Sequence, residues 1–98
     1  MINTNEIESN ITDASALLKS FSNEKRLHVI CALYDGEKNV GELEGIIDLS
    51  QSALSQHLAR LRRDDVVVCR REAQTVFYSL KDKETTEKIL SCIHSVCC

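Results

Sequence analysis

The sequence contains no proline and no tryptophan, and it has only three glycines, two tyrosines and two phenylalanines. So few turn-forming residues argue against a β architecture with many turns and favour helices. Because aromatic rings are scarce, the core must be built from Leu, Ile, Val and Ala side chains. We therefore expect a mostly α-helical protein.

Long apolar runs are also absent. The longest extends from Val29 to Tyr34, far short of the roughly 20 apolar residues that a membrane-spanning helix needs. The polar start of the chain, MINTNEIESN, lacks the basic region of a secretory signal peptide. These features predict a cytoplasmic protein with no membrane partner. A length of 98 residues predicts one domain, spanning residues 1–98.

Positive charge is scarce overall, since the net charge is −3, but it is concentrated in one segment. Residues 51–71 carry five arginines against two aspartates, whereas residues 1–50 carry four basic and nine acidic side chains. Because salt screens charges more than about 10 Å apart, the basic segment can meet DNA phosphates while the acidic remainder faces elsewhere. Charge alone is equally compatible with a solvated helix face that binds nothing.

Cysteine is the residue in excess, with five in the chain. An odd number in a reducing compartment argues against a structural disulfide framework and leaves reactive thiols or metal ligands as functions. No Cys-x-x-Cys pair is present, so a disulfide oxidoreductase is not expected. No other catalytic constellation is complete, and we expect neither an enzyme nor a bound cofactor.

Apolar residues recur at helical intervals in the amino-terminal half. Asn5 and Glu8 have the spacing of a capping box and are expected to start the first helix. The second helix is expected to follow Ser22 or Asn23 and to end at Gly36.

Two further helices are predicted in the middle of the chain. Asn39 and Glu42 form another capping-box pair before a short helix. Ser50 is placed to cap the next helix, from Gln51 to about Arg63. The short helix is expected to turn Leu43, Ile46 and Ile47 inward.

From residue 66 the sequence pattern indicates strands instead of helices. Residues 66–71 are rich in β-branched side chains, residues 72–74 form a turn, and residues 75–80 alternate as a second strand. Asp82 is placed to cap a last helix. The predicted order is four helices, a β-hairpin and a C-terminal helix.

A short helix, a tight turn and a helix with small polar side chains outside form a helix-turn-helix arrangement. Gln and Ser side chains can donate to and accept from base edges in the major groove. Arginines such as Arg60, at the far end of that helix, and Arg71, on the hairpin, can hold phosphates. Simple solvation also explains a polar face, but the hairpin directly behind it has the position of a wing and favours DNA binding.

The stretch LSQSALSQHLARLRRDDVVVCRREAQTVFYSL, residues 49–80, resembles the recognition helix and wing of ArsR-type winged-helix repressors. The segments SFSNEKRLHVICAL and NVGEL are similar to that family's second helix and the entry to its helix-turn-helix. The resemblance covers roughly residues 16–98 without a gap. It is strongest to the branch that responds to sulfide, persulfides or oxidants.

The resemblance implies a homodimer with the first and last helices at its interface. It also implies binding to an inverted-repeat operator in double-stranded DNA. His57 lies on the apolar side of its helix and is expected to be a core residue. The implied DNA contacts are Gln51, Ser52, Ser55 and Gln56 in the groove, with Arg71 and Gln74 in the wing.

The sequence departs from the family at one turn. Relatives usually carry Asp-Gly after the recognition helix, where this chain has Asp64 and Asp65. Asp tolerates the left-handed backbone conformation less well than Gly and adds negative charge near the phosphates. Weaker DNA binding than in relatives is expected.

Neither metal-sensing motif of the family is intact. The short helix before the recognition helix holds no cysteine, and the pattern counted from Asp82 falls on Glu84, Ser95 and Cys98. The persulfide-sensing branch instead uses two cysteines, and Cys31 and Cys97 lie at those places. The implied chemistry is oxidation or persulfidation of one thiolate and attack by the other.

Several alternatives stay open at this point. Cys31 fits a core position, and Cys98 could replace Cys97 as the second thiol. A metal- or heme-responsive repressor is the main alternative, and a protein that dimerises or carries thiols without binding DNA is another. The cluster that would serve a soft metal or heme comprises Cys92, His94, Cys97 and Cys98.

Overall fold

The structure, a computed structural model, describes residues 1–98 and is mostly helical with one small sheet. The helices are α1 (Thr4–Ser9), α2 (Ile11–Phe21), α3 (Glu24–Tyr34), α4 (Val40–Ile46), α5 (Gln51–Arg63) and α6 (Lys83–Cys97). The strands are β1 (Lys38–Asn39), β2 (Val67–Glu72) and β3 (Thr75–Leu80).

The first predicted helix is divided in two at Asn10. The Asn10 amide nitrogen Nδ2 donates to the Glu6 carbonyl oxygen at 2.9 Å, and such side-chain bonds compete with the helical backbone. The predicted start at Asn5 is also wrong, because Asn3 is the cap and accepts from the Asn5 backbone N–H at 3.0 Å. The short α1 buries no residue.

The other predicted helix starts are confirmed. Asn23 caps α3, Ser50 caps α5 and Asp82 caps α6, each by accepting from backbone N–H groups. Asn39 and Glu42 form the predicted capping box, with reciprocal bonds of 2.8 and 3.0 Å. Satisfying these otherwise unpaired donors fixes where each helix begins.

The sheet has a third strand that the sequence analysis missed. β1 pairs antiparallel with β3, in the order β1-β3-β2, so that Lys38 lies opposite Tyr78 and Asn39 opposite Phe77. Two residues are too few to show an alternating pattern. The predicted hairpin is confirmed, with β2 running from Val67 to Glu72 rather than from Val66 to Arg71.

The buried apolar side chains form one cluster that joins the end of α2 with α3, α4, α5 and the start of β2. Leu43 and Ile47 point inward as predicted, but Ile46 is 45% exposed. Ile46 lies one residue before Ile47, about 100° away around the helix axis, and it sits at the solvent edge of the buried face. The cluster comprises Phe21, Val29, Ile30, Ala32, Leu33, Leu43, Ile47, Leu54, Leu58, Leu61, Val66 and Val67.

None of the helices combines the length and the apolar composition required to cross a membrane.

Candidate DNA-binding surface and thiol groove

α5 divides cleanly into an inner and an outer face. Leu54, Leu58 and Leu61 are completely buried, which fixes the rotation of the helix about its axis. Its first turns present four exposed polar side chains on the other side. These are Gln51, Ser52, Ser55 and Gln56, all predicted as groove contacts.

The carboxyl end of α5 is organised around Asp64. Its Oδ2 atom accepts from Arg60 Nε at 2.9 Å and from Ser20 Oγ at 2.8 Å. Partial burial acts to raise the pKa of Asp64, but these bonds outweigh it and lower the pKa. Arg60 must therefore leave Asp64, or share it, to hold a phosphate as predicted.

His57 is half-buried rather than fully buried in the core. Burial lowers the pKa of His57, and the nearby Arg26 charge lowers it further. Both effects favour the neutral ring at neutral pH. Its expected packing role is therefore met in part.

The wing presents Arg71 and Gln74 as exposed side chains, near and in the hairpin turn. Arg70, the neighbouring residue, is half exposed but is held in ion pairs within the protein. Its guanidinium binds both carboxylate oxygens of Glu37, at 2.6 and 2.8 Å, and one oxygen of Glu72 at 2.8 Å. The bond from Arg70 holds the pKa of Glu37 below its ordinary value.

Asp65 takes up the strained conformation that the sequence suggested. Its φ is +61°, in the left-handed region that favours glycine. The Val66 N–H bonds the Leu61 carbonyl at 2.9 Å, and the Asp65 N–H bonds the Arg62 carbonyl at 3.1 Å. This pattern is a Schellman motif, in which the residue after the helix cap is usually glycine.

A groove of about 370 Å³ lies between α3 and α6. Cys31 and Tyr34 line it from α3, and His94 and Cys98 line it from α6. Cys97 is exposed and does not line it. All five cysteines are free thiols.

At one end of this groove, Tyr34 links α3 to α6. Its hydroxyl donates to Glu87 Oε1 at 2.9 Å, and the Lys83 ammonium lies 4.9 Å from the centre of its ring.

Burial raises the pKa of Cys31, and the Asp35 charge raises it further. Cys31 is nevertheless exposed, as Cys97 and Cys98 are, so the core position considered for it is wrong. Its raised pKa lowers the fraction present as the reactive thiolate.

The proposed metal-ligand cluster is not gathered into one site. Cys92 lines a different groove, with Leu18 and Phe21 from α2, whereas His94 and Cys98 face α3. Successive helical residues are about 100° apart, so Cys92 and His94 diverge. No three His, Cys, Asp or Glu side chains are close enough together to hold a metal ion.

Comparison with known proteins connects these features to a family. The sequence profile of the bacterial regulatory protein arsR family matches residues 23–68. The chain is 50% identical over 97 residues to the transcriptional activator HlyU of Vibrio cholerae, covering 99% of this chain and 89% of that protein. The chain belongs to the arsR family.

Other relatives of this ArsR-family chain agree. It is 36% identical over 92 residues to the biofilm growth-associated repressor of Agrobacterium fabrum, covering 94% of this chain and 78% of that protein. The relatives are transcriptional regulators and not enzymes, which confirms the expected class. The chain is accordingly a DNA-binding transcriptional regulator.

Solved structures confirm the winged helix-turn-helix fold. The repressor BigR from Xylella fastidiosa superposes with a TM-score of 0.91 at 32% identity, over 99% of this chain and 98% of that one. Reduced HlyU from Vibrio cholerae superposes with a TM-score of 0.83 at 49% identity, over 95% and 97%. Relatives named as an activator and as a repressor therefore share this architecture.

For this ArsR-family surface, sequence reasoning missed one feature, the pairing of Glu37 with Arg70, and left the choice between Cys97 and Cys98 open. The Glu37–Arg70 pair joins residues 33 positions apart, and no local spacing predicts it. The position of Cys98 in the groove depends on how α6 meets α3. Only the doubled cysteine at the end of the chain hinted at it.

Proposed function

We propose that this regulator is a homodimeric, single-domain cytoplasmic repressor that reads an inverted-repeat operator and releases it when its cysteines are oxidised or persulfidated. The observation that carries the DNA-binding part is the exposed polar face of α5 beside the exposed wing residues. The proposed base-edge contacts are Gln51, Ser52, Ser55 and Gln56, with Arg60, Arg71 and Gln74 on the backbone or in the adjacent groove.

A second copy of the chain is supported by the outer helices. Ile7, Ile11 and Leu18 on α1 and α2 are exposed, as is Val96 on α6. Large apolar side chains left exposed on these helices support an interaction site there. Pairing through the first and last helices would cover it and would place two copies of α5 on one side of the dimer.

Two-fold symmetry sets the form of the operator. Two recognition helices related by a dyad read half-sites about 34–36 Å apart, or a multiple of that spacing. Selection from random duplexes followed by footprinting of the reduced protein is expected to give an imperfect inverted repeat. A selected site without dyad symmetry would contradict the dimeric reading.

The proposed switch joins Cys31 to a thiol of the C-terminal Cys97–Cys98 pair. The C-terminal thiolate attacks peroxide and becomes a sulfenic acid with release of hydroxide, or takes the outer sulfur of a persulfide and releases a thiolate. The Cys31 thiolate then attacks that cysteine sulfur. A disulfide forms, and hydroxide or hydrosulfide leaves, which completes a two-electron oxidation.

The link would act through helix geometry. Bridged cysteines need Cα atoms about 4.4–6.8 Å apart, so closing the bond would draw the end of α6 onto α3. Because α6 is also a proposed dimer helix, this would change the spacing of the two copies of α5. The groove supports Cys98 as the partner of Cys31, whereas the family resemblance supports Cys97.

The test compares single variants before and after treatment with polysulfide or peroxide. Cys31→Ser is expected to bind operator normally and to ignore the inducer, and Cys69→Ser, in β2, is the matched control. Mass spectrometry of the Cys97→Ser and Cys98→Ser proteins locates the bridge. Normal release of DNA by oxidised Cys31→Ser would refute the thiol-pair switch.

A further inference from the structure

The wing consists of a supported base and an unsupported tip. β1 meets β3 only at Tyr78 and Phe77. Beyond that point, the hairpin pairs Arg71 with Val76 and Glu72 with Thr75, without a third strand. The tip holds both proposed wing contacts with DNA, Arg71 and Gln74.

Arg70 lies at the boundary between base and tip. It is opposite Phe77 in the ladder, and its guanidinium carbon lies 4.6 Å from the centre of the Phe77 ring. The same guanidinium binds Glu37 through two parallel bonds and Glu72 through one. Bidentate pairing of this kind fixes orientation as well as distance.

The two arginines of the wing face opposite ways. Successive side chains of a strand point to opposite faces, so Arg70 and Glu72 share one face while Arg71 lies on the other. Binding of Arg70 by Glu37 therefore leaves Arg71 available. Glu37 itself follows Gly36 in the loop after α3, whose Val29, Ile30 and Leu33 are in the core.

We infer that Glu37 and Arg70 are a positioning pair, which holds the wing tip against the core at the angle that lets Arg71 reach DNA while α5 occupies the major groove. This inference rests on the proposed DNA contact of the wing. The pair does not touch DNA and acts through Arg71.

In the Glu37→Gln variant, the direction of the change in DNA affinity distinguishes positioning from simple charge. Removing a carboxylate and releasing Arg70 should tighten DNA binding if only charge matters, because affinity follows the number of phosphates neutralised. Positioning predicts the opposite: operator affinity falls about twofold to fivefold, the range typical of one exposed ion pair. Glu72→Gln removes the same charge but leaves the link to α3, so its affinity should be equal or tighter.

Arg70→Lys separates geometry from charge. It keeps the positive charge but lacks the fork that binds two oxygens at once. Operator affinity is therefore expected to fall as in Glu37→Gln. Affinity equal to the parent protein in both variants, or tighter, would overturn the inference.

The Arg71→Ala background shows whether the pair acts through Arg71. Arg71→Ala alone should lower the slope of log affinity against log salt by about one. In that background, Glu37→Gln is expected to cause no further loss, whereas a general structural defect would add to it. An unchanged slope in Arg71→Ala would refute the proposed wing contact itself; a normal slope change with no effect of Glu37→Gln would refute only the positioning role.

Discussion

α5 and α6 are amphipathic helices of similar length, 13 and 15 residues, but the protein holds them very differently. α5 buries three leucines completely, whereas α6 buries only Thr86. The remaining anchors of α6 are half-buried side chains, including Ile89 and Leu90, and the bond from Tyr34 to Glu87.

This difference matches what each helix is proposed to do. A helix that reads bases must keep a fixed outer face, and burial of its inner face in a close-packed core provides that. A helix that senses thiol chemistry and meets a partner must be able to move, and within one protomer α6 has few of the buried contacts that would oppose such movement. Of the four predictions below, given in order of decreasing effect, the first two compare the two helices and the last two test how the carboxyl end of α5 is held.

Leu58→Ala in α5 is expected to lower the free energy of unfolding by about 2–5 kcal/mol, because it leaves a cavity in the core. Ile89→Ala in α6 should cost less than half as much, since its side chain is only partly buried. Urea denaturation followed by circular dichroism measures both. Equal losses would contradict the contrast between the two helices.

Gln56→Ala is expected to reduce discrimination between operator and random DNA by about 1–3 kcal/mol, if one bidentate base contact is lost. Cys98→Ser at the end of α6 should leave the binding of the reduced protein unchanged. Fluorescence anisotropy with operator and scrambled duplexes provides the comparison. If Gln56→Ala keeps the full sequence preference, the proposed orientation of α5 in the groove is wrong.

Asp65→Gly is expected to stabilise the turn after α5 by about 1 kcal/mol, because glycine adopts the left-handed conformation without steric strain. The exposed ion pair of Asp65 with Lys81, at 3.2 Å, offsets little of this gain. Thermal unfolding measures the change, and Ala73→Gly, at φ +55° in the wing, should act in the same direction. A lower melting temperature for Asp65→Gly would show that the left-handed conformation of Asp65 does not cost stability.

Asp64→Asn tests the bond that joins α2 to the end of α5. The folded-state pKa of Asp64 is lowered, so its stabilising effect is complete above the unfolded value of about 3.9 and is lost as pH falls through the folded value. The variant should start less stable at pH 7 and lose less stability on acidification. Identical slopes of unfolding free energy against pH, below about pH 4, would exclude this role.

The sequence by itself determined the local features of this protein. Four of the helix caps depend on side chains within three residues of the bonds they make. Asn39, Ser50 and Asp82 could therefore be recognised from spacing alone, and the fourth cap was narrowed to Ser22 or Asn23. The 3.6-residue period of α5 likewise indicated its polar outer face. The unfavourable placement of Asp65 could also be recognised from the sequence, because the preference for glycine there comes from the local turn conformation and from no distant contact.

Only the tertiary structure decided the features that join distant parts of the chain. The pairing of β1 with β3, the bond from Glu37 to Arg70 and the meeting of Cys31 with Cys98 in one groove link residues far apart in sequence. No local period or spacing records such contacts, because they depend on how the core sets the relative positions of whole helices and strands. Arg70, which is paired with Glu37, and Arg71, which is proposed to contact DNA, are adjacent and identical in the sequence, and they project from opposite faces of the strand.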